Sequence, residues 1–359
     1  MTTYLIYMAS PALLSLFFEL LPNKSITSNI KSKKIYLILC GLCMTLMIGL
    51  RAPTNGSGDT LFYCKLWETF SNMSLDSFVK FSRTADMELG YQISTWVLSQ
   101  FFPDGQWLLL LSALFMSVCV CVFVYENCKN PVLALSVFNC LGLFNFMVQG
   151  LRQALAMCIC LFAIKACQKR KLIKFILLVI VASLFHASAI VFFPVYFIGF
   201  KKFNVKNVIL FGMGIVILIA FLPSWFELVN TAMNDSYMLD NGSDQGGIVA
   251  ILIYVAILLF ALLFQGRDDE KYPLFVCMAT LGMVCMILRL TTNGIIERVS
   301  LFFSFSQMVL VSNCAHKAYG SNRNSKVILN ILIVALCLGV AFYKASYSNL
   351  VPYLFYWQI

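Results

Sequence analysis

The feature that most constrains this chain is a succession of apolar runs separated by short polar gaps, continuing from the first residues to the last. The runs fall at 4–21, 35–50, 107–125, 131–149, 152–168, 172–186, 188–200, 207–222, 247–265, 273–289, 296–315 and 327–343. A bilayer crossing needs about 20 mostly apolar residues, fewer when a helix is kinked or buried in a bundle, so the pattern predicts about 12 transmembrane helices. Composition agrees: 60% of the 359 residues are hydrophobic and 12% charged, where a soluble domain is nearer half apolar and a quarter charged. No polar stretch is long enough for a separate soluble domain. The expected fold is therefore an all-α, polytopic membrane helical bundle forming a single integral membrane domain over 1–359, with two hydrophilic excursions at 51–106 and 223–246. The first run has no basic segment before it and no small-residue cleavage site after it, which reads as a retained helix and not a signal peptide.

Charge sets the topology. With the amino terminus outside, the inner loops collect 18 of the 26 Lys and Arg residues, among them Lys31, Lys171, Lys202 and Arg323. The outer side keeps eight basic residues against 11 acids. Counting the short segment 91–102 as a crossing would place Gln168-Lys-Arg-Lys171 outside, against the positive-inside rule. That segment is therefore expected to be re-entrant or interfacial. The basic clusters on either side of 172–200 require an even number of passes between them, which predicts a hairpin of two short helices with its turn at His186. Within the first outer excursion, 61–81 reads as an amphipathic stretch lying on the membrane surface.

The exceptions to the charge rule are informative. Arg51 caps the second run, Arg152 begins the run at 152–168, and Arg289 and Arg298 flank the turn Thr291-Thr-Asn-Gly294. A boundary arginine either snorkels into the headgroups or serves a site. Four at one level, joined by His186, favour a site, and guanidinium groups grip phosphate bidentately and stay charged. A lipid-linked phosphate is the natural ligand at that depth. His186, Asp59 and Glu88 would supply acid and base capacity, since glycosyl transfer needs a proton acceptor near the hydroxyl nucleophile. His186 is the first choice as base, and either carboxylate could instead orient a bound ligand.

Other templates fail. There is no Gly-x-x-x-x-Gly-Lys-Ser/Thr loop, and Asn55-Gly-Ser-Gly-Asp59 follows no strand. The net charge of +10 is explained by the bilayer, so nucleic acid is not expected as a partner. Two histidines on opposite sides cannot build a histidine-rich metal site, and no metal or other cofactor is expected. Most of the 14 cysteines, including the Cys40-Gly-Leu-Cys43 pair, lie inside apolar runs and read as small hydrophobes. Aromatic residues at the outer boundary, such as Trp67, Tyr91 and Tyr353, suit sugar stacking or an interfacial belt.

Read in order, Gly49-Leu-Arg51, Gly58-Asp59-Thr60 with Tyr63, Glu88-Leu-Gly-Tyr91, Leu151-Arg-Gln-Ala-Leu-Ala156, Phe185-His-Ala-Ser-Ala189 and Arg298-Val-Ser-Leu-Phe-Phe303 resemble the EpsG family of Wzy-like polymerases of exopolysaccharide, capsule and O-antigen. The resemblance covers nearly the whole chain. It implies a GT-C-like membrane glycosyltransferase at the outer face of the bacterial inner membrane, joining oligosaccharide repeat units carried on undecaprenyl pyrophosphate by a metal-independent, inverting transfer. Donor and acceptor lipids, the bilayer and other polysaccharide assembly proteins are the implied partners. His186, Asp59 and Glu88 are then the expected catalytic residues, and Arg51, Arg152, Gln153, Arg289 and Arg298 the expected substrate-binding residues.

Two other functions share these features. A flippase for lipid-linked oligosaccharide would also grip pyrophosphate, but transporters place charge near the midplane and show paired, interrupted half-helices. Here the charges cluster at one face and no repeat is visible, which favours the enzyme. A ligase performs the same transfer onto another acceptor, and glycan chain length after gene deletion separates it from a polymerase.

Overall fold

The computed structural model describes residues 2–20, 25–55, 58–198, 206, 209, 211, 213–214, 245–264, 271–290, 295–318, 323–346 and 351–358. The run at 207–222, the excursion at 223–246 and the turn Thr291-Thr-Asn-Gly294 lie wholly or mostly outside the described residues. Among the described residues the structure is helical, with no strand; one antiparallel bridge joins Arg51 to Phe355. The helices are α1 (Thr2–Leu20), α2 (Ile30–Gly49), α3 (Gly58–Ser71), α4 (Leu75–Thr84), α5 (Leu89–Ser99), α6 (Gln106–Asn127), α7 (Pro131–Cys140), α8 (Leu143–Gln149), α9 (Leu151–Gln168) and α10 (Leu172–Ser183). A 3-10 turn at Ala187–Phe192 and the short α11 (Val195–Ile198) follow, then α12 (Gln245–Leu263), α13 (Tyr272–Leu288), α14 (Ile295–Ala318) and α15 (Arg323–Ser346).

Four segments, Ile30–Gly49, Gln106–Asn127, Leu151–Gln168 and Ser325–Ser346, are long and apolar enough to cross a bilayer. The run at 131–149 makes a fifth only as a bent pair, because α7 and α8 meet at 56° around Gly142, whose φ of 78° lies in the left-handed region that suits glycine. Length and apolarity thus support four or five crossings among the described residues, where the run count predicts about 12. Among the described residues, the other apolar runs give apolar helical stretches of 10–17 residues, such as Thr3–Phe18, Ile248–Leu263 and Tyr272–Leu288, or, in α14, a long helix whose Ser300, Ser304, Ser306, Gln307 and Ser312 dilute its apolarity.

Those polar residues are buried, and several are satisfied inside their own helix. Ser304 Oγ donates to the Ser300 carbonyl at 3.0 Å and Ser300 Oγ to that of Glu297 at 2.7 Å. Small side chains of this kind let helices approach closely without leaving a polar atom in hydrocarbon. Ser312 also ties α14 to the start of α7: its Oγ accepts from the Asn130 N–H at 2.8 Å and donates to the Asn130 carbonyl at 2.9 Å. Asn130 in turn caps α7 with its side-chain oxygen, ahead of Pro131 in the first turn. The outside of the bundle is apolar. Ile328, Ile331, Leu332 and Leu336 are exposed along α15, and Ile35, Ile38 and Leu42 along α2. Apolar faces of this extent suit contact with lipid.

The first excursion is folded onto the bundle. The stretch at 61–81 is broken into α3 and α4, because Ser74 caps a new helix with its hydroxyl. Phe70, Phe78 and Trp96 pack together beneath it, the last two rings stacked at 4.8 Å. Segment 91–102 forms the short α5, which is not among the candidate spans. The expected hairpin at 172–200 is present over its described residues, 172–198: α10 ends at Ser183, and the return places the Phe192 and Tyr196 rings 6.4 and 5.3 Å from Phe175.

Candidate active site

Glu88, Arg152 and His186 come from three separate elements and meet on one carboxylate. Glu88 precedes α5, Arg152 stands in the first turn of α9, and His186 follows α10 in extended backbone. What brings them together is the docking of α5 on the hairpin tip. The Tyr91 N–H donates to the Leu184 carbonyl at 3.1 Å. Gly90 makes the approach possible, since a Cβ there would stand 2.7 Å from Leu184 Cβ.

Arg152 Nη1 donates to Glu88 Oε2 at 2.5 Å. Glu88 Oε1 lies 2.9 Å from His186 Nδ1 and accepts the Ala187 N–H at 3.0 Å. A carboxylate that already accepts two donors on one oxygen and a guanidinium on the other is held firmly in its charged form. Burial by itself raises the Glu88 pKa, but the hydrogen bond from His186, the Ala187 N–H and the Arg152 charge outweigh it and pull the value down to about 2. Glu88 is therefore ionised at neutral pH and acts as an acceptor, not as a reservoir for protons. Because an ionised carboxylate only accepts, Nδ1 of His186 is the donor in this contact, and in the neutral imidazole that makes Nε2 the acceptor.

Tyr63 completes the group. Its hydroxyl accepts from Arg152 Nε at 2.8 Å, and the guanidinium carbon lies 5.4 Å from its ring centroid. Tyr91 packs edge-on against the Tyr63 ring at 5.5 Å. Burial raises the Tyr63 pKa and the Arg152 charge opposes that rise. Nε and one Nη1 hydrogen of Arg152 are thus used within the protein, while Nη2 has no partner among the described residues. Asp59 is exposed in the first turn of α3, one turn before Tyr63, with no ion-pair partner among the described residues.

The remaining arginines have different surroundings. Arg51 is 1% exposed, and its guanidinium donates to the carbonyls of Asn55 and Val148, the latter at 2.8 Å. Burial lowers its pKa to about 10, so it remains a cation at neutral pH. Its own carbonyl accepts from Gln106 Nε2 at 3.0 Å, and it stands where the tail at 351–358 pairs with the backbone just after α2. Gln153 is buried and donates to the Arg298 carbonyl at 2.7 Å, joining the first turns of α9 and α14. The Arg298 side chain is exposed. Arg289 Nε pairs with Glu297 Oε2 at 3.0 Å, so the two arginines on either side of the turn differ: one is balanced by an acid and the other is open.

Two residues outside the predicted set border the cluster. Tyr63 was legible only as part of a motif, since a tyrosine four residues after Asp59 looks like an interfacial ring. Ser188 lies two residues beyond His186, and its Oγ is buried with no hydrogen-bond partner among the described residues, as is the Tyr91 hydroxyl. Among the described residues no three His, Cys, Asp or Glu side chains converge as a cation cage.

A helical, multi-pass membrane protein with a basic and acidic cluster at one end of its bundle is the class these features define. The EpsG family profile matches residues 34–355, and the chain belongs to the EpsG family, a family of Wzy-like polymerases. No curated protein and no solved structure matches.

Proposed function

We propose that this protein polymerises a polysaccharide by joining oligosaccharide repeat units carried on undecaprenyl pyrophosphate, at the outer face of the bacterial inner membrane. The observation that carries the reading is the single carboxylate of Glu88, which holds His186 and Arg152 side by side. One is a proton acceptor and the other an anion-binding group, the pair that glycosyl transfer from a pyrophosphate requires. In the proposed step, an acceptor hydroxyl oxygen forms a bond to the anomeric carbon of the donor chain as the bond from that carbon to the pyrophosphate oxygen breaks. The proton goes to His186 Nε2, and the lipid pyrophosphate leaves with the electron pair. Attack opposite the leaving group inverts the anomeric centre.

Glu88 sets the tautomer and direction of the imidazole, as the carboxylate does in a Ser-His-Asp triad. Arg152, through Nη2, and Arg298 receive the developing negative charge, a role preorganised guanidinium groups fill in the manner of a metal ion. Arg289, balanced by Glu297, lines the same end. Asp59, exposed in the first turn of α3, would orient the acceptor sugar. Arg51 and Gln153 hold the walls of the site through backbone carbonyls. The same reading keeps a GT-C-like arrangement of about 12 crossings in one membrane domain, with 51–106 and 223–246 outside. Other polysaccharide assembly proteins would meet the product there.

The test is a purified protein supplied with defined lipid-linked repeat units. A ladder of products differing by one repeat unit supports a polymerase. A single transferred block points to a ligase, and movement of intact lipid-linked units across a vesicle membrane without new bonds points to a flippase.

A further inference from the structure

A second basic site lies at the opposite end of the bundle. The helix α9 links the two ends: Arg152 is in its first turn, while Lys165 and Gln168 in its last turn bond Glu126 and Asn127. Its 18 residues separate them by about 27 Å at the rise of an α-helix. Here a cavity of about 780 Å3 is lined by Lys33, Lys129, Lys271 and Lys317, with Tyr125 and Tyr272 among its apolar walls. The lysines come from four different segments, so their convergence belongs to the tertiary fold and not to one basic run.

Two of them have a structural task. Lys33 Nζ donates to the carbonyls of Cys128 and Tyr125 at 2.7 and 3.1 Å, and Lys271 Nζ to the Glu126 carbonyl at 3.2 Å. They satisfy the orphan carbonyls at the end of α6. Carbonyls are only dipoles, so these bonds do not cancel the Lys33 charge. The acid lining the cavity, Glu126, is engaged by Lys165. Lys129 and Lys317 are exposed and have no carboxylate partner among the described residues. Among the described residues the cavity is thus lined by four lysines, one acid already engaged by Lys165 and a partly apolar wall.

We propose that this cavity binds a phosphoryl group, either that of an anionic lipid headgroup or that of a soluble polyphosphate. Phosphate offers several acceptor oxygens to converging ammonium groups, and the tyrosine and isoleucine walls accept the less polar remainder of a headgroup. A general attraction of inner-face lysines to an anionic membrane would act equally at any exposed lysine of that face, whereas a site depends on the cavity.

The experiment uses the full-length protein in neutral detergent, with phosphatidylglycerol, phosphatidylcholine and inorganic pyrophosphate as probes, read by native mass spectrometry and thermal shift. Phosphatidylglycerol is expected to be retained over phosphatidylcholine, and Lys129→Gln with Lys317→Gln to weaken that retention by about fivefold for each lysine removed. The control pair Lys169→Gln with Lys174→Gln, exposed on the same end but outside the cavity, is expected to leave it unchanged. Lys317→Gln alone serves if the double variant does not fold. Stabilisation by pyrophosphate identifies a soluble anion as sufficient, and its absence assigns the site to lipid. Equal retention of the two lipids together with no pyrophosphate effect would overturn the proposal, as would an equal loss in the control pair.

Discussion

His186 has Nδ1 tied to Glu88 at 2.9 Å, which leaves Nε2 to take a proton. Replacing it with alanine is expected to lower turnover by roughly a hundredfold or more, the usual contribution of a general base, with protein level and donor binding retained; polymer yield near that of the unmodified protein would move the role to another group. Arg152→Lys is expected to lose nearly as much activity as Arg152→Ala, since an ammonium cannot reproduce the planar fork that reaches Glu88 and Tyr63 together. Glu88 makes a prediction about stability. Its folded-state pKa of about 2 lies below the ordinary 4.5, so its stabilisation is complete above the unfolded value and disappears as pH falls toward the folded one. The unfolding temperature in detergent should therefore drop more between about pH 5 and pH 3 for the natural chain than for Glu88→Gln; parallel curves would contradict it. Arg152 was legible as an exception to the charge rule, His186 as the tip of the hairpin and Glu88 as an acid of the first excursion. Their meeting was not, because Glu88 is 98 positions from His186 and 64 from Arg152, and no local pattern encodes such a contact.

At the scale of elements, apolar runs were good guides to helix positions and poor guides to continuity. The 131–149 run carries no charge, yet Gly142 bends it, and hydropathy is blind to the direction of a backbone. Conversely α14 contains enough buried serine to look less apolar than a span, because those hydroxyls bond carbonyls three or four residues back, a satisfaction that composition does not register. The hairpin at 172–200 was accessible from charge parity alone, since both of its flanks are basic. The docking of α5 on its tip was not, and it rests on Gly90. A methyl group there would stand 2.8 Å from the Leu184 carbonyl oxygen. Gly90→Ala is expected to push α5 off the tip at a cost of about 1–3 kcal/mol, seen as a lower unfolding temperature with activity falling alongside; an unchanged unfolding temperature would show that α5 is held elsewhere.

On the scale of the whole molecule, the two ends of the bundle have opposite characters: one gathers lysines around a cavity, the other gathers Glu88, His186, Arg152 and the acids of the first excursion. By the positive-inside rule the lysine end is expected to face the cytoplasm. Single cysteines introduced in a background lacking the native ones should then be labelled from outside at Asp59 and not at Lys171. Labelling of position 171 in intact cells would invert the molecule. Arginine in place of a metal at the outer site further predicts that a chelator leaves polymerisation intact. The central claim, that glycosyl transfer takes place at the Glu88 cluster, is tested most directly by comparing the natural chain with His186→Ala in a reconstituted reaction on defined lipid-linked repeat units. The account predicts a ladder of polymers from the natural chain and unextended units from the variant, at equal protein and equal donor binding; ladders of equal length and yield from both would contradict it.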